Sequence, residues 1–296
     1  MVTDHYSVAG MNFAVRSTNV GFLELVRGYL GPFRVDGGAE DVLYSADSGQ
    51  EKALPGGKTV HAISRLYLGG LRIFYGLDKD QMAGRLIGSI RDKITSYEDQ
   101  YVRLRTGAVT LDEGALIMPS PAEPRLPALV AMLTRSGARY LGDELVHIDP
   151  VLRQAHGVSS PPLPLLINEP ELPFFPELRR EPARRRRRER EEASTVTRRP
   201  VVLKELNAEP AEPAPVRWIA FPYFVPGAIT EFQPVARSEA LFRFSQALLN
   251  FNIWGDRAFI LLREMLESAS VARLIVGSLP DAAELLRSGN PTLLAG

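Results

Sequence analysis

The stretch "GALIMPSPAEPRLPALVAMLTRSGARYLGDELVHIDP", residues 114 to 150, constrains the fold more than any other part of the chain. It runs apolar strand, polar loop, amphipathic helix, small turn and apolar strand. Leu126, Leu129, Val130 and Leu133 fall at i, i+3, i+4 and i+7, so one apolar face of a helix over 126–136 packs on a sheet. Pro127 suits the first turn, because the N–H that it lacks has no helical partner there. Two strands joined by a helix imply a parallel crossover, since a hairpin alone serves antiparallel neighbours.

The flanking segments read as mixed structure. "HYSVAGMNFAVRST" alternates as a strand or hairpin, and Phe22, Leu23, Val26 and Leu30 then follow helical spacing, with Asn19 as cap and Gly31-Pro32 as stop. "TVHAISRLYL" and "LRIFYGL" are separated by Gly69-Gly70, a hairpin signal, and a helix capped by Asp78 or Asp80 comes next. "YVRLRTGAVTLDEGALIMP" holds two strands joined at Asp112-Glu113-Gly114. Beyond residue 215, "VRWIAFPYFVP" reads as a strand broken by Pro222, followed by three helical stretches for which Ser238, Asp256 and Asp281 are the expected starts. The expected organisation is an N-terminal α+β region over 1–98, a strand-helix-strand core over 99–158, an excursion over 159–215, and a C-terminal strand with helices over 216–296.

The excursion is rich in proline and charge, and it predicts an exposed, flexible segment. Within it "RRRRRER" at 184–190 is followed at once by Glu191 and Glu192. Clustered arginines engage phosphates, but acidic residues adjoin the run, aromatics are not interleaved, and the chain carries 35 basic and 35 acidic residues. The run therefore reads as a solvated charged segment whose functional use is docking of an acidic partner, through Arg184, Arg185 and Arg186; nucleic acid is not the expected partner. "PYFVPGA" sets Tyr223 and Phe224 between two prolines, a rigid edge suited to receiving a peptide.

With no cysteine in the sequence, disulfides, thiolate zinc and a cysteine nucleophile are excluded. The four histidines, 5, 61, 147 and 156, show no pair at ligand spacing, so a histidine-based metal site is not expected, and His147 reads as a strand histidine. The opening "MVTDHYSVAGMNFAV" has no basic segment leading into an apolar one, and no run of about 18 apolar residues occurs. The expectation is a cytoplasmic protein without membrane insertion.

Three segments carry a resemblance. Residues 114–150 resemble, in length and without a gap, the apolar strand, G-P-S-G-S-G-K-S-T loop, helix and Asp-Glu pair of the HPr kinase-related branch of the phosphoenolpyruvate carboxykinase-like P-loop folds. "VRWIAFPYFVPGA" with the helices after it is similar to that family's C-terminal strand and tail, and "YSVAGMNFAVRS" to its N-terminal strand. The resemblance implies an α/β protein with an α+β lead-in, a mixed sheet with flanking helices, and a site at the loop.

The loop departs from the family at each position its chemistry uses. Ser120 stands for the first glycine, Arg125 for the last, Leu126 for the lysine and Pro127 for the hydroxyl residue that holds Mg²⁺. A P-loop works because successive N–H groups converge on phosphate, glycines allow close approach and lysine neutralises charge. Pro121, Pro124 and Pro127 have no N–H to give, and Glu123 adds negative charge where phosphate would lie. The histidine-alanine pair that precedes the loop in relatives is Arg105-Thr106 here. Asp143 and Glu144 remain as the acid pair, which in relatives lies near Mg²⁺ and the phosphoacceptor; the resemblance makes them the catalytic candidates and Asp143 the metal candidate. Arg125 with Ser120 is what remains of a phosphate-binding position.

The expectation that follows is a catalytically degenerate kinase-like protein, needing no cofactor, that holds a protein or peptide partner or serves as a scaffold. One alternative is an active ATP- and Mg²⁺-dependent protein or peptide serine kinase in which Arg125 or a residue of the arginine run supplies the cation and Asp143 with Glu144 holds Mg²⁺. Another is a structural subunit of a larger or oligomeric assembly.

Overall fold

Ala9 and Gly10 both hold positive φ, 47° and 78°, and so turn the first strand back as the second. The computed structural model describes residues 1–48, 52–54, 58–60, 63–76, 78–97, 99–112, 114–120, 123–178 and 198–288.

The first third of the chain holds β1 (Val2–Val8), β2 (Met11–Ser17), α1 (Val20–Leu30), β3 (Arg34–Val35), β4 (Val42–Ser48), β5 (Lys52–Leu54), β6 (Lys58–Val60), β7 (Ser64–Leu68), β8 (Leu71–Gly76) and α2 (Lys79–Ile94). The middle holds β9 (Val102–Leu104), β10 (Thr106–Leu111), β11 (Gly114–Pro119), α3 (Leu126–Arg135), β12 (Arg139–Gly142), β13 (Val146–Ile148), β14 (Gln154–His156) and β15 (Leu165–Asn168). The last part holds β16 (Arg198–Val201), β17 (Ala214–Phe224), β18 (Glu231–Gln233), α4 (Arg237–Gln246), α5 (Phe251–Trp254), α6 (Asp256–Ser268), β19 (Ser270–Val276) and α7 (Leu279–Ser288). The protein is therefore a mixed α/β structure, and no described helix is long and apolar enough to cross a membrane.

The chain forms two units, Met1–Glu98 with Arg185–Val202, and Asp99–Arg184 with Leu203–Gly296. The first is built on a sheet ordered β3-β1-β2-β4-β7-β8, in which only β2 and β4 run parallel. Asn19 caps α1 by accepting the N–H of Phe22 at 3.1 Å, and Asp78 caps α2 by accepting those of Asp80 and Gln81. Gly84, inside α2, has a steric reason: a Cβ there would lie 2.3 Å from the carbonyl oxygen of Arg198 on β16.

The second unit carries the sheet β12-β10-β11-β17-β14-β13-β9, with β19 beside the end of β17 and β18 beyond β19. β11, β17 and β19 are mutually parallel. β12 runs in the direction of β11, as the crossover predicts, but antiparallel β10 lies between them. Odd-numbered residues of β17 and β11, such as Ile117, Ile219 and Phe221, join Phe244 of α4 and Leu261, Leu262 and Met265 of α6 in one core. The other face is covered by α3, which packs on β10, and by α7, which packs on β19. Gly107 lets α3 approach, since a Cβ there would stand 2.7 Å from Val130.

Several expectations need correction. β17 is not broken at Pro222; it continues to Phe224 in register with β19, while β11 pairs only as far as Ile219. A proline is tolerated in a strand that has a neighbour on one side only, and beyond Ile219 β17 pairs with β19 but no longer with β11. "SVARLIV" at 270–276 is a seven-residue strand rather than part of a helical tail, and it completes the parallel set. Within the expected excursion, Leu163, Leu165, Leu166, Ile167, Phe175, Leu178, Val201 and Leu206 are buried, so 163–178 and 198–206 are packed structure: apolar burial outweighs the proline content. Helix α4 starts one residue before Ser238, α6 starts at Asp256, and α7 takes its cap from Ser278, whose hydroxyl accepts the N–H of Asp281.

Candidate functional site

In sheets of this kind, the carboxyl ends of parallel strands open onto the loops that carry function. Here those ends are Pro119 of β11, Phe224 of β17 and Val276 of β19. The loop after β11 enters α3 through Glu123, Pro124 and Arg125, while Pro121 and Ala122 lie outside the described residues. Ser120, half-buried, ends the described strand side.

Glu123 closes this loop on itself. Its Oε1 accepts the backbone N–H of Arg125 at 3.1 Å and the Nε–H at 2.7 Å, and its Oε2 accepts from Nη2 at 3.1 Å. Arg125 is the N-cap residue of α3, so a carboxylate of the protein itself occupies the helix entrance where a phosphate would find its donors. The Arg125 guanidinium also lies 4.5 Å over the ring of Phe224 and reaches its carbonyl at 3.4 Å. Arg125, expected as what remains of a phosphate-binding position, and Phe224, expected on a peptide-receiving edge, are thus in contact.

Behind the loop, the buried Asn168 donates from Nδ2 to the carbonyl of Pro124 and reaches the carboxyl of Glu171. Burial pushes the Glu171 carboxyl above the usual carboxylate range, and neighbouring Glu123 adds to this, against the opposing effect of Asn168 and Arg125. Among the described residues, the buried Asn168 Oδ1 and Glu171 Oε2 have no hydrogen-bond partner.

Asp143 is buried at the end of β12. Its Oδ1 accepts the hydroxyl of Tyr140 at 2.7 Å and its Oδ2 the N–H of Leu166 at 3.3 Å, which ties β12 to β15. Glu144, next to it, is half-buried. Among the described residues, no group of three or more His, Asp or Glu could hold a metal ion.

Tyr223 points to the opposite face of the sheet from Phe224. Its ring is flanked by Arg243, 4.5 Å away, and Arg273, 5.0 Å away. Arg243 Nε, Arg273 Nη2 and the Tyr223 hydroxyl all converge on one oxygen, Oε1 of Glu239, at 2.9, 2.7 and 3.4 Å. The bond from Arg243, then that from Arg273, holds the Glu239 carboxyl below its ordinary range. Arg184, Arg185 and Arg186 lie outside the described residues.

His147 and His156 have no sequence spacing that suggests a pair, yet they face each other across β13 and β14, with Arg103 of β9 opposite His147 on its other side. The ring of Tyr101 lies 5.2 Å from both imidazoles, stacked on that of His147 and tilted against that of His156. Burial, reinforced by the Arg103 charge and then by His156, pulls His147 down to about 4. His156 is lowered as well, chiefly by burial.

Asn168, Glu171, Arg273 and the bridging role of Glu239 escape a reading of the sequence. The first two lie more than 40 residues from the loop that they support, and only the Glu239–Arg243 spacing of four carries a local signal. No protein-family model matches the chain, and no curated protein matches its sequence.

Proposed function

We propose that this protein is a nucleotide-independent recognition or scaffold subunit, a pseudokinase on an HPr kinase-like framework, which holds a protein or peptide partner. The observation that carries this reading is the Glu123 carboxylate on the backbone N–H and guanidinium of Arg125. An incoming triphosphate would have to displace a bidentate, charge-assisted bond and then bind beside the displaced carboxylate. Prolines at 124 and 127 remove two further donors from the same helix entrance.

The parallel strands β11, β17 and β19, with loops at their carboxyl ends, support an inherited ligand-binding edge. Arg125 on Phe224, and Arg243 with Arg273 on Tyr223, furnish that edge with planar cationic and aromatic surfaces of the kind enriched where proteins meet.

Titration calorimetry with ATP and Mg²⁺ tests the reading. No saturable heat is expected at millimolar nucleotide, and no label should pass from ATP to protein or peptide acceptors. Saturable binding that Arg125→Ala abolishes would overturn the proposal in favour of an active kinase with Arg125 as its cation.

A further inference from the structure

A strand at the rim of a sheet presents unpaired N–H and C=O groups, and folded proteins usually cover them. The second unit covers two of its rims with its own backbone. On β12, Tyr140 N–H donates to Glu209 and its carbonyl accepts from Ala211, at 2.9 and 2.7 Å. On β9 Arg103 accepts from Leu249, and just past it Arg105 donates to Ala247, at 2.9 and 2.7 Å. β18 pairs with β19 on one side only; its other side has no backbone partner among the described residues.

This rim is also fixed in place. The hydroxyl of Thr230, just before β18, accepts the N–H groups of Gly277 and Ser278 at 3.0 and 3.3 Å. Pro234 follows the strand and can donate no further bond. Ile229, which leads into it, is 81% exposed, an apolar side chain standing beside an open edge.

The charges along β18 are antisymmetric. Gln233 lies directly opposite Arg273, which with Arg243 shares the single carboxylate of Glu239, so this end is positive. Two residues away Glu231 is exposed and negative, its carboxylate accepting from Gln233 Nε2 at 2.7 Å. The four charges, Arg243, Arg273, Glu239 and Glu231, cancel. No net field therefore attracts an acidic or a basic peptide, but the pattern matches its own inversion.

We propose that β18 pairs antiparallel, about Phe232, with β18 of a second copy of this chain, each Glu231 lying beside the other copy's Gln233 and facing its Arg273. A two-fold interface is self-complementary in this way: residue i meets j, and j meets i. The short edge supplies few backbone bonds, so the dimer is weak and salt-sensitive, with the charge exchange setting its register.

Sedimentation velocity of the full chain over a wide concentration range tests this, together with hydrogen exchange at residues 231–233. The wild type is expected to pass from monomer to dimer as concentration rises, with exchange at these amides slowing in parallel and with dissociation in high salt. Glu231→Arg, whose fold is checked by circular dichroism, is expected to weaken self-association at least tenfold. Mixing Glu231→Arg with Gln233→Glu restores a dimer, because the new arginine then meets the new glutamate. A wild type that stays monomeric, a dimer untouched by Glu231→Arg, or a mixture that fails to associate would each overturn the proposal. None of these outcomes depends on nucleotide binding, so they leave the functional reading to its own test.

Discussion

Tyr140 donates its hydroxyl to Asp143 across 2.7 Å, and both side chains are buried. An acid that the sequence offers as catalytic is thereby engaged in holding β12 against β15. Tyr140→Phe removes one donor from a buried carboxylate and is expected to cost about 2 kcal/mol, the scale of a hydrogen bond to a charged group. Chemical denaturation reads this directly. A loss below a few tenths of that value would mean that the Asp143 carboxyl finds its support elsewhere.

Gly84→Ala sets two effects against each other. In an exposed helix, alanine is favoured over glycine by about 1 kcal/mol. Here the new methyl would lie 2.3 Å from the carbonyl oxygen of Arg198, which must shift with its strand. Overpacking of this kind costs about 1–3 kcal/mol, so the substitution is expected to destabilise the first unit. Gly277 is a harsher case in the second unit, since its Cβ would stand 1.7 Å from the carbonyl of Ala228. Thermal melting of both variants checks the order: Gly277→Ala below Gly84→Ala, and both below the wild type.

His147 makes stability depend on pH in a defined direction. Its imidazole titrates near 4 in the fold, against 6.5 in the unfolded chain. Between those values the unfolded chain binds more protons, so stability falls as pH falls through this window, by up to about 3 kcal/mol. His156, also lowered, acts with the same sign. Unfolding curves from pH 7 to pH 4 should show the decline, and His147→Gln should flatten it. An unchanged slope in that variant would assign the decline to other groups.

Glu171 acts in the opposite sense. Burial raises its carboxyl pKa, so the fold favours the protonated form and loses stability as pH rises through that value. Glu171→Gln keeps the shape, removes the buried charge and supplies an N–H for the unpartnered Oδ1 of Asn168. A gain of about 1 kcal/mol is expected at pH 8, shrinking toward pH 4 where the native carboxyl is neutral as well. Denaturation at the two pH values measures the difference.

Local pattern made much of the framework legible. The hairpins at Ala9-Gly10 and Gly69-Gly70, the caps Asn19 and Asp78, and the face of α3 all follow from turn chemistry and periodicity within a few residues. β19 was not legible as a strand, because "SVARLIV" follows a helix without a turn signal and its partners lie some 50 residues earlier in β17. Pro222 misled for a related reason. Whether a proline breaks a strand depends on which side of it has a neighbour, and that is decided by where β11 ends.

The sequence by itself determined what the loop after β11 lacks: no glycine, no lysine, and prolines at 124 and 127, since donors absent from the covalent chain cannot be supplied by folding. Only the tertiary structure decided what its remaining charges do. Glu123 and Arg125 satisfy each other, Phe224 covers the guanidinium, and Asp143 is bound by Tyr140. The strand register likewise joins His147 to His156, and Arg273 to Glu239 of α4. These pairings depend on distances across strands and layers, and electrostatic and hydrogen-bond energies act through space rather than along the chain.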